Sequence, residues 1–202
     1  MELELSYGAS LVKANGTKKG ATLVQQSHPT NTETVLKKST FVVSTAVGGV
    51  APGTALSTTP PLTLLNPLNS GVNLVIISTY LGYVSGTLGA GTIVYAHNTP
   101  QATIPTGGTE LVPVRTLITA VRGAGRAFQG STLSAVPLIL KPAYVLGAFL
   151  ATTALIPGKL EDEVDGAFII PPATAFVMQG VAAAGTSPLV LLGISWEEVD
   201  EN

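Results

Sequence analysis

A chain of 202 residues with 46% hydrophobic side chains, no cysteine and a formal net charge of −2 has the apolar material for one large core and no means of holding it by disulfides or thiolate-bound zinc. Its 22 glycines and 14 prolines interrupt the chain every few residues. That argues against long helices, because proline costs a helix interior about 3 kcal/mol and glycine about 1, while both are ordinary at strand ends and turns.

The first 38 residues are polar and rich in Thr, Lys and Gln. The start, Met1-Glu2-Leu3-Glu4-Leu5, lacks the basic and apolar regions of a secretory signal. Asn15-Gly16 is a tight-turn pair flanked by Leu11-Val12 and Leu23-Val24, which predicts a short hairpin. The stretch 25–38 has no sustained periodicity and is expected to be an extended arm or loop. Residues 1–38 therefore form an N-terminal arm and residues 39–202 the domain.

Strand signals begin at Ser39. Thr40 to Val47 is the first run, and Leu62 to Leu65 the second, closed by Asn66-Pro67 and the turn Leu68-Asn69-Ser70-Gly71. The longest is Val72 to Val84, expected to bend at Gly82 and to form a hairpin with Thr92 to His97 through a glycine-rich loop. The segment 98–130, with Pro100, Pro105 and Pro113, predicts one short strand or helical turn near Val114 to Val121. Thr132 to Leu140 and Ala143 to Thr152 read as two strands broken at Lys141-Pro142; Ala167 to Ile170, Thr174 to Val181 and Pro188 to Trp196 complete the series. Leu133 to Ile156 is the most apolar stretch, but Pro137, Lys141 and Pro142 in its middle speak against a membrane span. Eight to ten strands without a clear helix define an all-β class: a jelly-roll β-sandwich with an N-terminal arm.

Charge is segregated along the chain. Residues 39–109 hold no Asp, Glu, Lys or Arg; residues 111–160 hold three Arg and two Lys with no acid; residues 161–202 hold eight acids with no base. A long uncharged stretch is core, partner-covered surface, or surface kept wet by Ser, Thr and Asn alone, and subunit contacts are expected to cover part of it, since interface centres are depleted of charge. The basic middle, with Arg115, Arg122 and Arg126, and the acidic end, with Glu161, Asp162, Glu163, Asp165, Glu197, Glu198, Asp200 and Glu201, are expected to meet within or between subunits.

Residues able to carry chemistry are few. His28 and His97 have no metal-ligand spacing, no G-x-S-x-G nucleophile elbow occurs, and Gly86 to Thr92 lacks the lysine of a phosphate loop. The acids Glu161 to Asp165 form an oxygen-rich run before Gly166 whose spacing is not that of an EF-hand, so a solvated acidic loop is the expectation. Asn15-Gly16-Thr17 fits a glycosylation sequon, which has meaning only in an exported chain. A net negative charge with few aromatics near the arginines argues against nucleic acid. No cofactor, metal or catalytic residue is assigned, and the chain is read as not an enzyme.

The run Leu62-Thr63-Leu64-Leu65-Asn66-Pro67 followed by Ser70-Gly71-Val72-Asn73-Leu74-Val75-Ile76 resembles a phrase of tailed-phage structural proteins, in which an L-x-N-P-x-x-S-G turn feeds a long strand. The likeness continues through Gly82 to Leu88 and Gly91 to Ala96, and returns at Asp165-Gly166-Ala167-Phe168-Ile169-Ile170-Pro171-Pro172 and Trp196-Glu197-Glu198-Val199. It departs at Pro172-Ala173, where a Pro-Gly turn is usual, and in the long arm. The resemblance implies a capsid decoration (cement) or head auxiliary protein: a jelly roll made in the host cytoplasm, attached to the virion exterior, contacting the major capsid protein and its own copies, usually as a trimer. Arg115, Arg122, Arg126 and Trp196 are the candidate subunit or capsid contacts, Trp196 either beneath the sandwich or against a neighbour. The alternative is a head-fibre or tail-associated receptor module that binds glycan; a sandwich-fold hydrolase is the third class, disfavoured by the lack of an acid-base constellation.

Overall fold

The computed structural model describes residues 3–7, 10–16, 22–23, 32–117, 122–146, 160–181 and 185–201. Fifteen strands and one helical turn, α1 (Thr32–Leu36), are found among them. The strands of the arm are β1 (Leu3–Tyr7), β2 (Ser10–Gly16) and β3 (Thr22–Leu23), an antiparallel sheet of their own. The alternation Leu3-Glu4-Leu5-Ser6-Tyr7, with its period of two, is the reason β1 exists, although it was not among the expected strands. A hairpin was expected to turn at Asn15-Gly16. Instead both residues are inside β2 and pair with Leu23 and Thr22, and the connection lies outside the described residues.

The body is built from β4 (Thr40–Ser44), β5 (Leu62–Asn66), β6 (Val72–Ser85), β7 (Gly91–Asn98), β8 (Thr109–Leu111), β9 (Val114–Arg115), β10 (Arg126–Gln129), β11 (Leu138–Leu146), β12 (Leu160–Glu163), β13 (Ile169–Ile170), β14 (Thr174–Val181) and β15 (Leu189–Asp200). Pairing runs first with last. β4 pairs with β15, β5 with β14, β6 with β12 and β13, and β7 with β11, all antiparallel. A long hairpin folded over itself in this way gives two sheets, and the further pairs β14 with β7 and β15 with β6 zip each sheet together. The resulting orders, β11-β7-β14-β5-β10-β8 and β12-β6-β15-β4-β9, begin with the two four-stranded halves of a jelly roll, β11-β7-β14-β5 and β12-β6-β15-β4.

This topology corrects one expected hairpin. β6 and β7 are in opposite sheets, so the glycine-rich segment between them carries the chain across the sandwich. The turn after β5 does the same, with Asn69 and Gly71 both at positive φ and the Asn66 amide donating to the carbonyls of Val72 (2.7 Å) and Ile170 (2.8 Å). Within β6, Gly82 pairs in register with Leu191, and register shifts leave Ile77 and Val84 without a cross-strand partner on β15.

Three further expectations change. The two strands expected around Lys141-Pro142 are one strand, β11, which passes through the proline with register shifts on either side. β11 is the last strand of its sheet, where a residue without an N–H is tolerated at a bulge; residues 147–152 lie outside the described set. The acidic loop is largely a strand: Glu161, Asp162 and Glu163 belong to β12, and only Asp165-Gly166, both at positive φ, make the turn. The weakly patterned segment 98–130 yields three short strands, β8, β9 and β10, inserted between β7 and β11. They extend the two sheets beyond β5 and β4 at one edge of the sandwich.

The main core between the sheets is formed by Phe41, Leu62, Leu64, Leu74, Ile76, Ile93, Tyr95, Phe176, Met178, Leu192, Ile194 and Trp196. A second cluster, Leu65, Ala96, Phe128, Leu133, Ala175 and Val177, lies on the other side of the β5–β14–β7 sheet and is covered by Leu56. The strap that covers it is tied by backbone bonds from Leu133 N to Thr58 O (2.7 Å) and Gly130 N to Pro60 O (3.1 Å), and by Gln179, which donates to Ala55 O (2.8 Å). Much of the charge-free stretch is thereby explained: β5 is buried along its whole length, on both faces.

Candidate functional site

The inserted strands gather the expected contact arginines at one edge. Arg126 on β10 forms two parallel bonds to Glu110 on β8, Nε to Oε1 at 2.9 Å and Nη2 to Oε2 at 2.8 Å, and its guanidinium lies over the Phe128 ring. This bonding holds the Glu110 carboxyl below the usual carboxylate range, with Arg122 adding a smaller attraction. Glu110 is the lone acid between residues 39 and 160, a pairing signal that segment counts conceal. Arg115 on β9 has its guanidinium 5.4 Å from the centre of the Phe41 ring, and Arg122 is exposed.

Trp196 belongs to none of these surfaces. It is fully buried, stacked on Phe41 with ring centres 5.8 Å apart, so of the two expected placements the one beneath the sandwich holds and Trp196 is no contact residue. Its neighbour Glu198 accepts hydrogen bonds from the backbone of Ala124 (3.0 Å) and Gly125 (2.8 Å) and lies 3.4 Å from the indole N–H. The loop approaches so closely that a β-carbon at Gly123 would be 2.3 Å from a Glu198 oxygen and 2.8 Å from the Phe41 ring. Basic middle and acidic end therefore do meet here, but through backbone amides rather than arginine side chains.

At the opposite edge the sheets are joined by a polar clamp. The Tyr95 hydroxyl donates to Asp162 (2.8 Å) and bonds Thr79; the Tyr144 hydroxyl donates to Thr79 O (2.8 Å) and accepts from Asp162 N (3.0 Å). Lys141 completes it, 3.2 Å from Asp162 and over the rings of Tyr95 and Phe168, a second meeting of middle base and terminal acid. Burial raises the pKa of both tyrosines, because a phenolate cannot be solvated there. Outside this clamp β11 is apolar and uncovered: Leu138, Ile139 and Val145 are 67%, 51% and 79% exposed, with Leu140 and Val136 beside them.

Strand parity divides the acidic run. Asp162 turns to the clamp, while Glu161 and Glu163 line a groove of about 380 Å³ together with Asp165, Ser78, Ser195 and Tyr80. Among the described residues no group of His, Asp or Glu is arranged to hold a metal ion. His97 is a half-buried residue next to Thr99, and His28 lies outside the described residues.

Two antiparallel sheets with first-to-last strand pairing define the class, a jelly-roll β-sandwich. Compared with protein-family models, with curated proteins and with solved structures, the chain matches none.

Proposed function

We propose that this chain is a non-enzymatic structural protein that works by surface contact, binding its own copies and the shell of a virus particle as a decoration protein of the capsid exterior. The observation that carries the self-association is the β11 edge. Three consecutive aliphatic side chains, Leu138, Ile139 and Leu140, stand in solvent on the last strand of a sheet, with Val145 further along. Soluble chains blunt such edges with charge, and contiguous apolar surface marks contact sites. Here the strand has Pro142 and its bulges, which discourage indefinite strand addition, and a single cation, Lys141, already committed to Asp162. That combination suits side-chain packing against a defined neighbour better than open-ended pairing. The virus particle is supported by the resemblance of residues 62–76, 82–96 and 165–199 to tailed-phage structural proteins.

Light scattering on the purified chain, followed by cosedimentation with tailed-phage capsids stripped of their decoration, tests the reading. A trimer or other closed oligomer that sediments with capsids is expected, and Leu138→Lys with Val145→Lys should shift it toward monomer. A chain that is monomeric at micromolar concentration and stays in the supernatant refutes it.

A further inference from the structure

The outer face of the β12-β6-β15-β4-β9 sheet carries two adjoining grooves that share Tyr80. The first, about 380 Å³, is walled by hydroxyls and carboxylates. Ser78 Oγ donates to Tyr80 Oη (2.7 Å) and bonds Ser195 Oγ (2.7 Å), and both serines are nearly buried in the groove floor. Glu163 and Asp165 stand exposed at its rim beside Glu161, and Thr116 faces them across the groove. The second groove, about 670 Å³, is apolar, lined by Val42, Tyr83 and Leu191 around Gly82 and Gly193. Gly193 leaves room that the Tyr80 ring occupies, since a β-carbon there would be 3.1 Å from that ring.

We propose that these grooves form a binding site for a short oligosaccharide, neutral or amino-bearing, running across Tyr80 on the outer face of this sheet. Sugar hydroxyls donate to carboxylates and exchange donor and acceptor roles with Ser, Thr and Tyr hydroxyls, which is the set the first groove presents. Sugar C–H faces pack against aromatic and aliphatic surface, which Tyr80, Ile77 and the second groove supply. No Lys, Arg or His is among the described residues lining either groove. The excess of carboxylate therefore repels acidic sugars and attracts amines. Two grooves of these volumes sharing Tyr80 accommodate more than one sugar ring. The inference is independent of the assembly reading, because the grooves lie on a sheet face and β11 on the edge of the other sheet.

Isothermal titration calorimetry with the full chain tests it, using a glucosamine tetramer, a cello-oligosaccharide and an oligogalacturonate as probes and tetralysine as the peptide control. Binding in the order amino, neutral, acidic is expected, the last undetectable. Glu163→Gln with Asp165→Asn keeps the shape of the rim and should weaken the amino-sugar tetramer about tenfold, and Tyr80→Ala should weaken both bound sugars. The melting temperature of each variant separates a lost site from a lost fold. Absence of heat with all three sugars, equal affinity in wild type and the Glu163/Asp165 variant, or binding of tetralysine without any sugar would each overturn the proposal, the last by making the groove a protein contact. Oligomer size measured in the same samples shows whether assembly fails separately.

Discussion

The two edges of the sandwich are finished in opposite ways. At one, β8, β9 and β10 prolong both sheets, Trp196 is stacked beneath Phe41, and Glu198 fastens the Gly123–Gly125 loop over the opening. At the other, β11 and β12 are simply the last strands, held together by one polar clamp around Thr79, Tyr95, Tyr144 and Asp162, with aliphatic side chains left in solvent. An edge sealed by an insertion is paid for in chain length and gains stability inside the subunit. An edge left open keeps backbone and apolar surface for a neighbour. The arginines expected to reach partners lie on the sealed side, where Arg126 is already engaged by Glu110. The consecutive exposed aliphatic side chains Leu138, Ile139 and Leu140 are on the side where the arginines are not, while Val112 and Val114 are exposed beside the arginines.

Breaking the sealed edge should cost most. Trp196→Ala removes the largest fully buried side chain and the stacking partner of Phe41; a loss of about 3–5 kcal/mol is expected, read as a fall of about 10 °C in melting temperature for a chain of this size. A melt unchanged within a degree would mean that the indole is not in the core.

The clamp at the open edge should rank second. Tyr144→Phe leaves Asp162 N and the Thr79 carbonyl without their hydroxyl partner, at a cost of about 1–3 kcal/mol by denaturant titration. The same clamp sets an alkaline limit. Tyr95 and Tyr144 have folded pKa values raised above the ordinary tyrosine range by burial, so the stability they contribute is present below the unfolded value of about 10 and is lost as pH rises beyond it. Stability should fall from about pH 10 upward, and the fall should be shallower in Tyr144→Phe; identical slopes would place the phenols in water.

The Arg126–Glu110 pair comes third. It is partly exposed, so Arg126→Met should cost less than about 1 kcal/mol. Glu110 has a lowered folded pKa; its contribution is present above the unfolded value of about 4.3 and disappears as pH falls through the folded value. Wild type and variant melts should differ at pH 7 and converge in acid. The smallest effect sharpens the comparison most: Leu138→Lys and Val145→Lys should leave subunit stability within about 0.5 kcal/mol, because those side chains are already in solvent. A large loss would show that β11 is covered within its own subunit.

Composition and local pattern determined a good part of this protein. The density of Gly and Pro among Val, Leu and Ile runs specifies strands, and β14 was legible to the residue because Thr174 to Val181 is an unbroken run between two turns. The size of an indole called for covering Trp196 beneath the sandwich or against a neighbour, and only the fold, which stacks it on Phe41, decided for the first. Which strands pair was decided only in three dimensions, since the same turn signal serves a hairpin or a crossing between sheets, and the glycine-rich turn after β6 makes the crossing. Strand parity likewise separated Asp162 from Glu161 and Glu163, neighbours in sequence that face different sides of β12. Partners of charges were hidden for the same reason. Arg126 meets Glu110 because β10 and β8 pair in antiparallel register, and Glu198 meets backbone amides 74 and 73 residues away, contacts that no count of acids and bases along the chain contains.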